Sequence, residues 1–338
     1  MKVLFLGLGS IGQRHLRNWI TARGHTDEIW ALRTSRHQQV IEKGAAQAVT
    51  NLSTALGIHE TRDEEAAWAI NPDLVFITNP TSKHTEAILN ALSCGSAVFV
   101  EKPIGCSSED FEKLSEVPKR APVFVGYQNR FHPFFLKIKE LINSGHLGDI
   151  IEAKIWWHTW LPGHHPYEDF RTSYAARGDL GGGACLGLSH DIDWLLGIWG
   201  APNRITHSST SSPILKMQVD ERCEAKLEYL RPSAPKSLKL SLSYSHREES
   251  HAVHIVGTQA SVIADWESNS LKVVRSDGEA EHLDFKVTHP RDRLFELQTQ
   301  SLISALEDPS KWIGASIEDG IKTLELCIQI MATSGKSV

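Results

Sequence analysis

A short apolar run, Val3-Leu4-Phe5-Leu6, leads straight into Gly7-Leu8-Gly9-Ser10-Ile11-Gly12, and a helical pattern follows. Glycines recur in turns everywhere, so G-x-G-x-x-G alone constrains little. Set between a buried strand and a helix, it describes a dinucleotide site. Gly7 lets the chain turn tightly, Gly9 lets the backbone approach a pyrophosphate, and Gly12 lets the helix pack close to the strand. The N–H groups of the helix start, around Ser10 and Ile11, then face the phosphates.

The rest of the first ~120 residues repeats this alternation of short apolar runs and helical patterns, the mark of a doubly wound parallel sheet. Strands are expected at Lys2–Leu6, Glu28–Leu32, Leu74–Thr78, Ala97–Val100 and Val123–Val125. From Asp149 onward the period changes to two. Cys223, Ala225, Leu227 and Tyr229 alternate with Glu224, Lys226 and Glu228, and Leu238, Leu240 and Leu242 with Lys239, Ser241 and Ser243. That pattern argues an antiparallel sheet with one polar face. Two helical stripes close the chain, one through Leu294, Leu297, Leu302 and Ala305, the other through Ile317, Ile321, Leu324 and Ile328, the latter with Ser316 and Asp319 as its capping box.

At 338 residues and 41% apolar content, two globular domains with their own cores are expected. The net charge of −6 and the lack of a Lys/Arg run speak against nucleic acid or a membrane surface as partner. The apolar start is too short for a signal peptide, and no run reaches the ~20 residues of a membrane span, so a cytoplasmic location is expected. Five scattered cysteines fit no metal spacing and read as reduced thiols.

Where an NAD fingerprint places its acid after the second strand, this chain reads Ala31-Leu32-Arg33-Thr34-Ser35-Arg36. A carboxylate there would accept from the ribose 2′-OH and repel a 2′-phosphate. Arg33, Ser35 and Arg36 would bind that phosphate instead, so the expectation is NADP, with NAD as the alternative. Two further strand ends carry polar loops where a ligand of a parallel sheet lies: Thr78-Asn79-Pro80 with His84, and Glu101-Lys102-Pro103, an X–Pro pair that tolerates the cis form.

Together these motifs, with Arg14-His15, Gly126-Tyr127-Gln128-Asn129-Arg130-Phe131, Gly181-Gly182-Gly183, His190 and Asp193, resemble the Gfo/Idh/MocA family of sugar and polyol oxidoreductases across essentially the whole chain. The resemblance implies an α/β protein with an N-terminal Rossmann domain, residues 1–122. A C-terminal α/β domain, residues 123–338, would carry a large, mostly antiparallel, open-faced sheet for substrate binding and homo-oligomer contact. It implies hydride transfer between nicotinamide and a sugar-like substrate. Lys102 would orient the reacting oxygen and His190 would be the general acid/base, a role that suits histidine near neutral pH. Gln128 and Glu101 join the expected cofactor contacts. Arg130, Trp160, Arg171 and Tyr174 join Lys102 and His190 as expected substrate contacts, and the arginines are compatible with an acidic sugar.

One departure is plain. Relatives carry an Asp three or four residues before this histidine, where Leu186 and Gly187 stand here. Asp191 and Asp193 are expected on the helix flank. The loop 156–177 holds His164-His165 with Glu168 and Asp169, but adjacent histidines do not share a face easily, and no metal is expected. Two alternative readings on the same fold are a nicotinamide-dependent glycoside hydrolase or lyase and a catalytically silent cofactor sensor.

Overall fold

The computed structural model describes residues 1–34, 38–42, 45–117, 120–164, 168–284 and 291–334. By its internal contacts the chain divides into two units. Met1–Tyr127 and Phe295–Ile321 form one; Gln128–His164, Phe170–Leu294 and the chain from Lys322 form the other. Sequence patterning sets a domain boundary at 122/123; contacts carry the first unit to Tyr127 and return the helix from Phe295 to it, a long-range choice that local periodicity does not report.

The first unit is built on a seven-stranded sheet in the order Ala315–Ser316, Val123–Val125, Ala97–Val100, Leu74–Ile77, Lys2–Leu6, Glu28–Leu32, His59–Thr61. All neighbours pair in parallel except the two-residue strand at 315–316. Lys2–Leu6 lies at the centre, and Val3 to Leu6 are buried on both sides, as helix-covered parallel strands require. The helix Ser10–Arg23 buries Gly12, Gln13, His15, Leu16 and Trp19, one stripe at helical spacing, and stops at Gly24, whose φ of +68° suits glycine. Its Leu16 and Trp19 join Phe5, Phe76 and Phe99 from three strands and Leu302 and Ala305 from the helix Arg291–Glu307. Phe5 and Phe76 stack at 4.5 Å. Each large side chain among these contributes roughly 1.5–3 kcal/mol on burial, so this cluster fixes the sheet against its helices.

Local periodicity missed the shorter pieces. The edge strand His59–Thr61 and the hairpin strands Gln39–Glu42 and Ala45–Ala48 are too short to show a pattern. The expected capping box at the last helix is present. Ser316 N donates to Asp319 Oδ2 at 3.0 Å, and Asp319 N donates to Ser316 Oγ at 3.2 Å.

The second unit holds an eight-stranded sheet in the order Arg204–Ser211, Arg222–Glu228, Ser237–Ser243, Ile150–Trp160, Ser245–Gly257, Ala260–Asp265, Ser270–Arg275, Ala280–Asp284. Only Ser237–Ser243 and Ile150–Trp160 pair in parallel. The period-two reading holds. Cys223, Ala225 and Leu227 are buried, whereas Glu224 and Lys226 are exposed. The buried face carries the short helix Ala184–Gly187 and the helix His190–Trp199.

On the polar face His158 and His246 stack at 4.2 Å with their rings 11° from parallel. One nitrogen of each ring faces a hydroxyl: His158 Nε2 lies 2.9 Å from Ser241 Oγ and His246 Nδ1 2.8 Å from Ser243 Oγ. Burial, then the proximity of His246 and Arg222, pushes the His158 imidazole down to about 4. The unfolded imidazole titrates near 6.5, so between these values the unfolded chain binds the extra proton. The contribution of His158 to stability is therefore complete above about pH 6.5 and is lost as the pH falls through the window to about 4. Melting temperatures from pH 7 to 4 should fall less steeply in His158→Phe, which keeps the flat ring, than in the native protein. Parallel curves would acquit His158.

Candidate active site

Two of the three glycines in the loop are required by the chain's own packing. Gly7 sits at φ +94°, and a Cβ there would meet the Asn79 backbone and Thr78 O at 3.2 Å. A Cβ on Gly12 would come within 2.5 Å of Gly7 O and 2.7 Å of Thr78 Oγ1. That is the close helix–strand packing expected of a third glycine. Gly9 is different. It is exposed, its φ of −71° suits any residue, and nothing lies within 4 Å of the space a Cβ would take. Nothing among the described residues requires glycine here. Ser10 and Ile11 open the helix, half-buried.

Thr78, Asn79 and Pro80 end the neighbouring strand. Thr78 Oγ1 donates to Gly7 O at 2.7 Å and so ties that strand end to the glycine loop. Asn79 keeps its side-chain Oδ1 buried with no hydrogen-bond partner, an acceptor left over in the loop. Gln13 fastens the far side. It donates to Leu8 O and Gln39 O and accepts from Ile41 N, which anchors the hairpin to the helix start. A loop with open space at Gly9, set between a strand end and a helix start, fits a dinucleotide. Gly7, Gly9 and the Ser10 helix start would hold its phosphates.

Glu101 and Lys102 stand at the end of the next strand. Glu101 Oε1 lies 2.7 Å from His15 Nε2, within the core beneath the loop. Burial alone would raise the Glu101 carboxyl; the His15 hydrogen bond and charge, with Lys102, outweigh it and hold the group below its ordinary value. Lys102 is half-buried, and the Lys102–Pro103 peptide is cis. His84 has another job than the expected cofactor contact. Its Nδ1 lies 2.8 Å from Pro103 O and its Nε2 2.9 Å from Asn79 O, so both nitrogens are taken by the loops it joins. Burial pushes its pKa down, against the raising effect of those two carbonyls.

Arg33 also departs from expectation. It is 4% exposed and its Nη1 lies 2.7 Å from Glu60 Oε2 on the adjacent edge strand. No spacing after the second strand announces Glu60, because it arrives from the neighbouring strand. Ser35 and Arg36, the other two residues expected at a 2′-phosphate, lie outside the described residues.

In the second unit the Gly181–Gly183 run delivers the chain to His190. Gly183 sits at φ +111°, and a Cβ there would run into the Asp220 carboxylate. Asp220 Oδ2 in turn accepts from Cys185 N at 2.8 Å and so orients the short helix Ala184–Gly187. Burial pushes the Asp220 carboxyl up, against its backbone hydrogen bonds. His190 opens the next helix, 3% exposed, with the Trp157 ring 6.1 Å away. The Tyr244 hydroxyl occupies the place where a side chain at position 187 would begin, which accounts for glycine there.

Each nearby aspartate has a partner on at least one oxygen. Asp193 is gripped by Arg130, with Nε to Oδ2 and Nη2 to Oδ1 both 2.8 Å. Arg130, expected at the substrate, is thus a buried partner of Asp193, an arrangement no spacing in the sequence announces. Asp191 Oδ1 meets His251 Nε2 at 2.9 Å. Of the remaining expected substrate residues, Trp160 carries Arg247 over its ring at 4.3 Å, Arg171 lies over Phe170 at 4.9 Å, and Tyr174 is 42% exposed. Arg177 pairs with Asp179. Gln128 is buried at the head of the turn Gln128–Phe131. Among the described residues no group of three or more His, Cys, Asp or Glu is placed to hold a metal, and no helix is long and apolar enough to cross a membrane.

The glycine loop, its neighbouring strand ends and the doubly wound sheet define a dinucleotide-binding α/β protein. Residues 1–128 match the model of the oxidoreductase family with an NAD-binding Rossmann fold, and residues 135–263 match the Gfo/Idh/MocA C-terminal domain. The chain belongs to the Gfo/Idh/MocA oxidoreductase family. Scyllo-inositol 2-dehydrogenase (NAD(+)) of Bacillus subtilis is 31% identical over a stretch covering 44% of this chain and 42% of that protein. Inositol 2-dehydrogenase of Corynebacterium glutamicum is 23% identical and covers 96% of this chain and 94% of its own length. Two solved structures share the fold. They are the WlbA dehydrogenase of Bordetella pertussis in complex with NADH and UDP-GlcNAcA (TM-score 0.77, 18% identity, covering 100% of this chain and 97% of that one) and a levoglucosan dehydrogenase in complex with NADH (TM-score 0.80, 15% identity, 99% and 97%).

The glycine loop yields a paired test. Gly9→Ala should leave the melting temperature unchanged, because its Cβ enters empty space, yet weaken dinucleotide binding ~10-fold or more by standing where the pyrophosphate approaches. Gly12→Ala should cost both binding and roughly 1–3 kcal/mol of stability through overpacking. Fluorescence titration and thermal melts read the two quantities; a Gly9→Ala protein that binds normally would remove the phosphates from this loop.

Proposed function

We propose that the protein is a nicotinamide-dependent oxidoreductase that interconverts a hydroxyl and a carbonyl on a sugar or polyol. The observation that carries this reading is the open space at Gly9, in a loop whose other two glycines are closed to side chains. The cofactor, when bound, accepts or donates the hydride. The chain supplies the rest. Lys102 donates to the reacting oxygen and holds it in place; its ammonium favours the alkoxide-like charge that develops there. His190 takes the hydroxyl proton in the oxidation direction and returns it in reduction. Relatives named as inositol dehydrogenases and a structure named as a levoglucosan dehydrogenase support a polyhydroxylated substrate.

On cofactor choice we favour NAD over the NADP suggested by the arginines. Arg33 is buried and neutralised by Glu60, so the strongest argument for a 2′-phosphate site loses its charge. The family description and the relatives' names also carry NAD. NAD should bind at least about tenfold more tightly than NADP, a difference of about 1.4 kcal/mol. Equilibrium titration of both decides it, and tighter NADP binding would return the 2′-phosphate to the loop after the second strand. By the family resemblance alone, the open face of the second sheet is proposed as a homo-oligomer contact, which light scattering tests.

Turnover over a panel of sugars and polyols tests the reaction. Lys102→Ala should retain dinucleotide affinity and lose ~10²-fold or more in kcat, the scale of a positioned acid/base group. Native-like turnover in that variant would exclude Lys102 from the chemistry. Glycoside loss without net cofactor change would identify a hydrolase or lyase instead, and tight cofactor binding with no turnover would identify a sensor.

A further inference from the structure

Outside the residues given roles above, the most closely built group of ionisable and aromatic side chains lies against the start of the His190 helix. His251 is 5% exposed and lies flat between two indoles. Its ring is 4.6 Å from Trp157, with planes 8° apart, and 4.1 Å from Trp266, with planes 14° apart. Its Nε2 meets Asp191 Oδ1 at 2.9 Å. Asp191 directly follows His190, is 1% exposed, and keeps its second carboxylate oxygen buried with no hydrogen-bond partner. Trp157 is also the ring that flanks His190. One histidine therefore holds both the wall beside His190 and the carboxylate next to it in the chain.

We propose that His251 is a positioning residue for His190: by clamping Trp157 and compensating Asp191, it sets the orientation and the proton affinity of the acid/base imidazole. The proposal rests on His190 having that role. A carboxylate buried without a partner is strongly disfavoured. Here it is matched at 2.9 Å by an imidazole nitrogen of a ring held flat between two indoles. The groups facing His251 are Asp191 from the His190 helix, Trp157 and Trp266 from either side, and Glu267 in the turn beyond Trp266; His132 lies past Trp266 at 5.4 Å. Of the two carboxylates only Asp191 is hydrogen-bonded to the ring. Without His251, its charge would be left uncompensated beside His190, and a nearby negative charge makes an imidazole hold its proton to higher pH.

His251→Phe keeps a flat ring in the stack and removes the N–H. Two readouts are taken on the full chain: steady-state kinetics against pH, and NMR titration of the His190 ring in histidine-labelled protein. The variant should lose about tenfold or more in kcat while KM for cofactor and sugar stays within about twofold, the signature of lost transition-state positioning. The His190 midpoint should rise by about one unit, the effect of a close opposite charge. The acid limb of kcat/KM should move up with it. Adding Asp191→Asn removes the stranded charge and should bring the midpoint back. His251→Gln, which still offers a donor to Asp191, should lie between native and His251→Phe, and it serves alone if the phenylalanine variant does not fold. A folded variant with an unmoved His190 midpoint and native kcat overturns the proposal. If the native protein turns over no sugar, the acid/base reading falls, yet the NMR titration still reports whether His251 governs His190.

Discussion

The first unit depends on the way three adjacent strand ends are tied together by side chains from its interior. His15, on the helix that follows the glycine loop, bonds Glu101 at 2.7 Å at the end of the strand that delivers Lys102. Thr78 bonds Gly7 O, and His84 bridges the Asn79 and Pro103 carbonyls. Polar groups in a low-dielectric interior are costly to leave unmatched and valuable when matched. Each tie therefore fixes a loop that would otherwise be free at the carboxyl ends of a parallel sheet. Those ends are where such folds place ligands. The chain's own side chains thus hold these loops in the arrangement that would receive a dinucleotide.

In the second unit the same logic is applied to charge. The helix that begins at His190 brings two carboxylates in its first turn, and both are buried. Each is met by a cation or a hydrogen-bond donor from a distant segment, Arg130 for Asp193 and His251 for Asp191. Removing one member of a buried pair typically costs ~3–5 kcal/mol, so these matches are structural commitments as well as local electrostatics. They leave His190 as a histidine whose two nearest acidic neighbours in sequence are already engaged. The expectation that Asp191 and Asp193 would merely flank the helix was right about their element and silent about their partners.

Much of the fold is legible from the chain alone. The periods of two and 3.6, the placement of Gly7, Gly9 and Gly12 between a strand and a helix, and the Ser316–Asp319 cap are all local facts, and the structure reproduces them. Such features follow from backbone geometry and burial within a few residues, which is what sequence encodes directly. Their repetition along the chain also carried the family resemblance.

What tertiary structure alone decided is the meaning of the charged residues. Arg33 and Arg130 looked like ligand contacts because each stands in a motif. Folding turned them towards Glu60 and Asp193, 27 and 63 residues away in sequence. His84 became a pin between two loops, Gly187 is a glycine because Tyr244 fills the space beside it, and His251 gained its place only when strand and helix met. Periodicity reports which face a residue occupies; it holds no record of which distant group arrives opposite. The sequence determined the elements, the glycine loop and the candidate chemistry. The partner of each buried charge was decided by the three-dimensional packing, because compensation of charge in a low dielectric is settled across space and not along the chain.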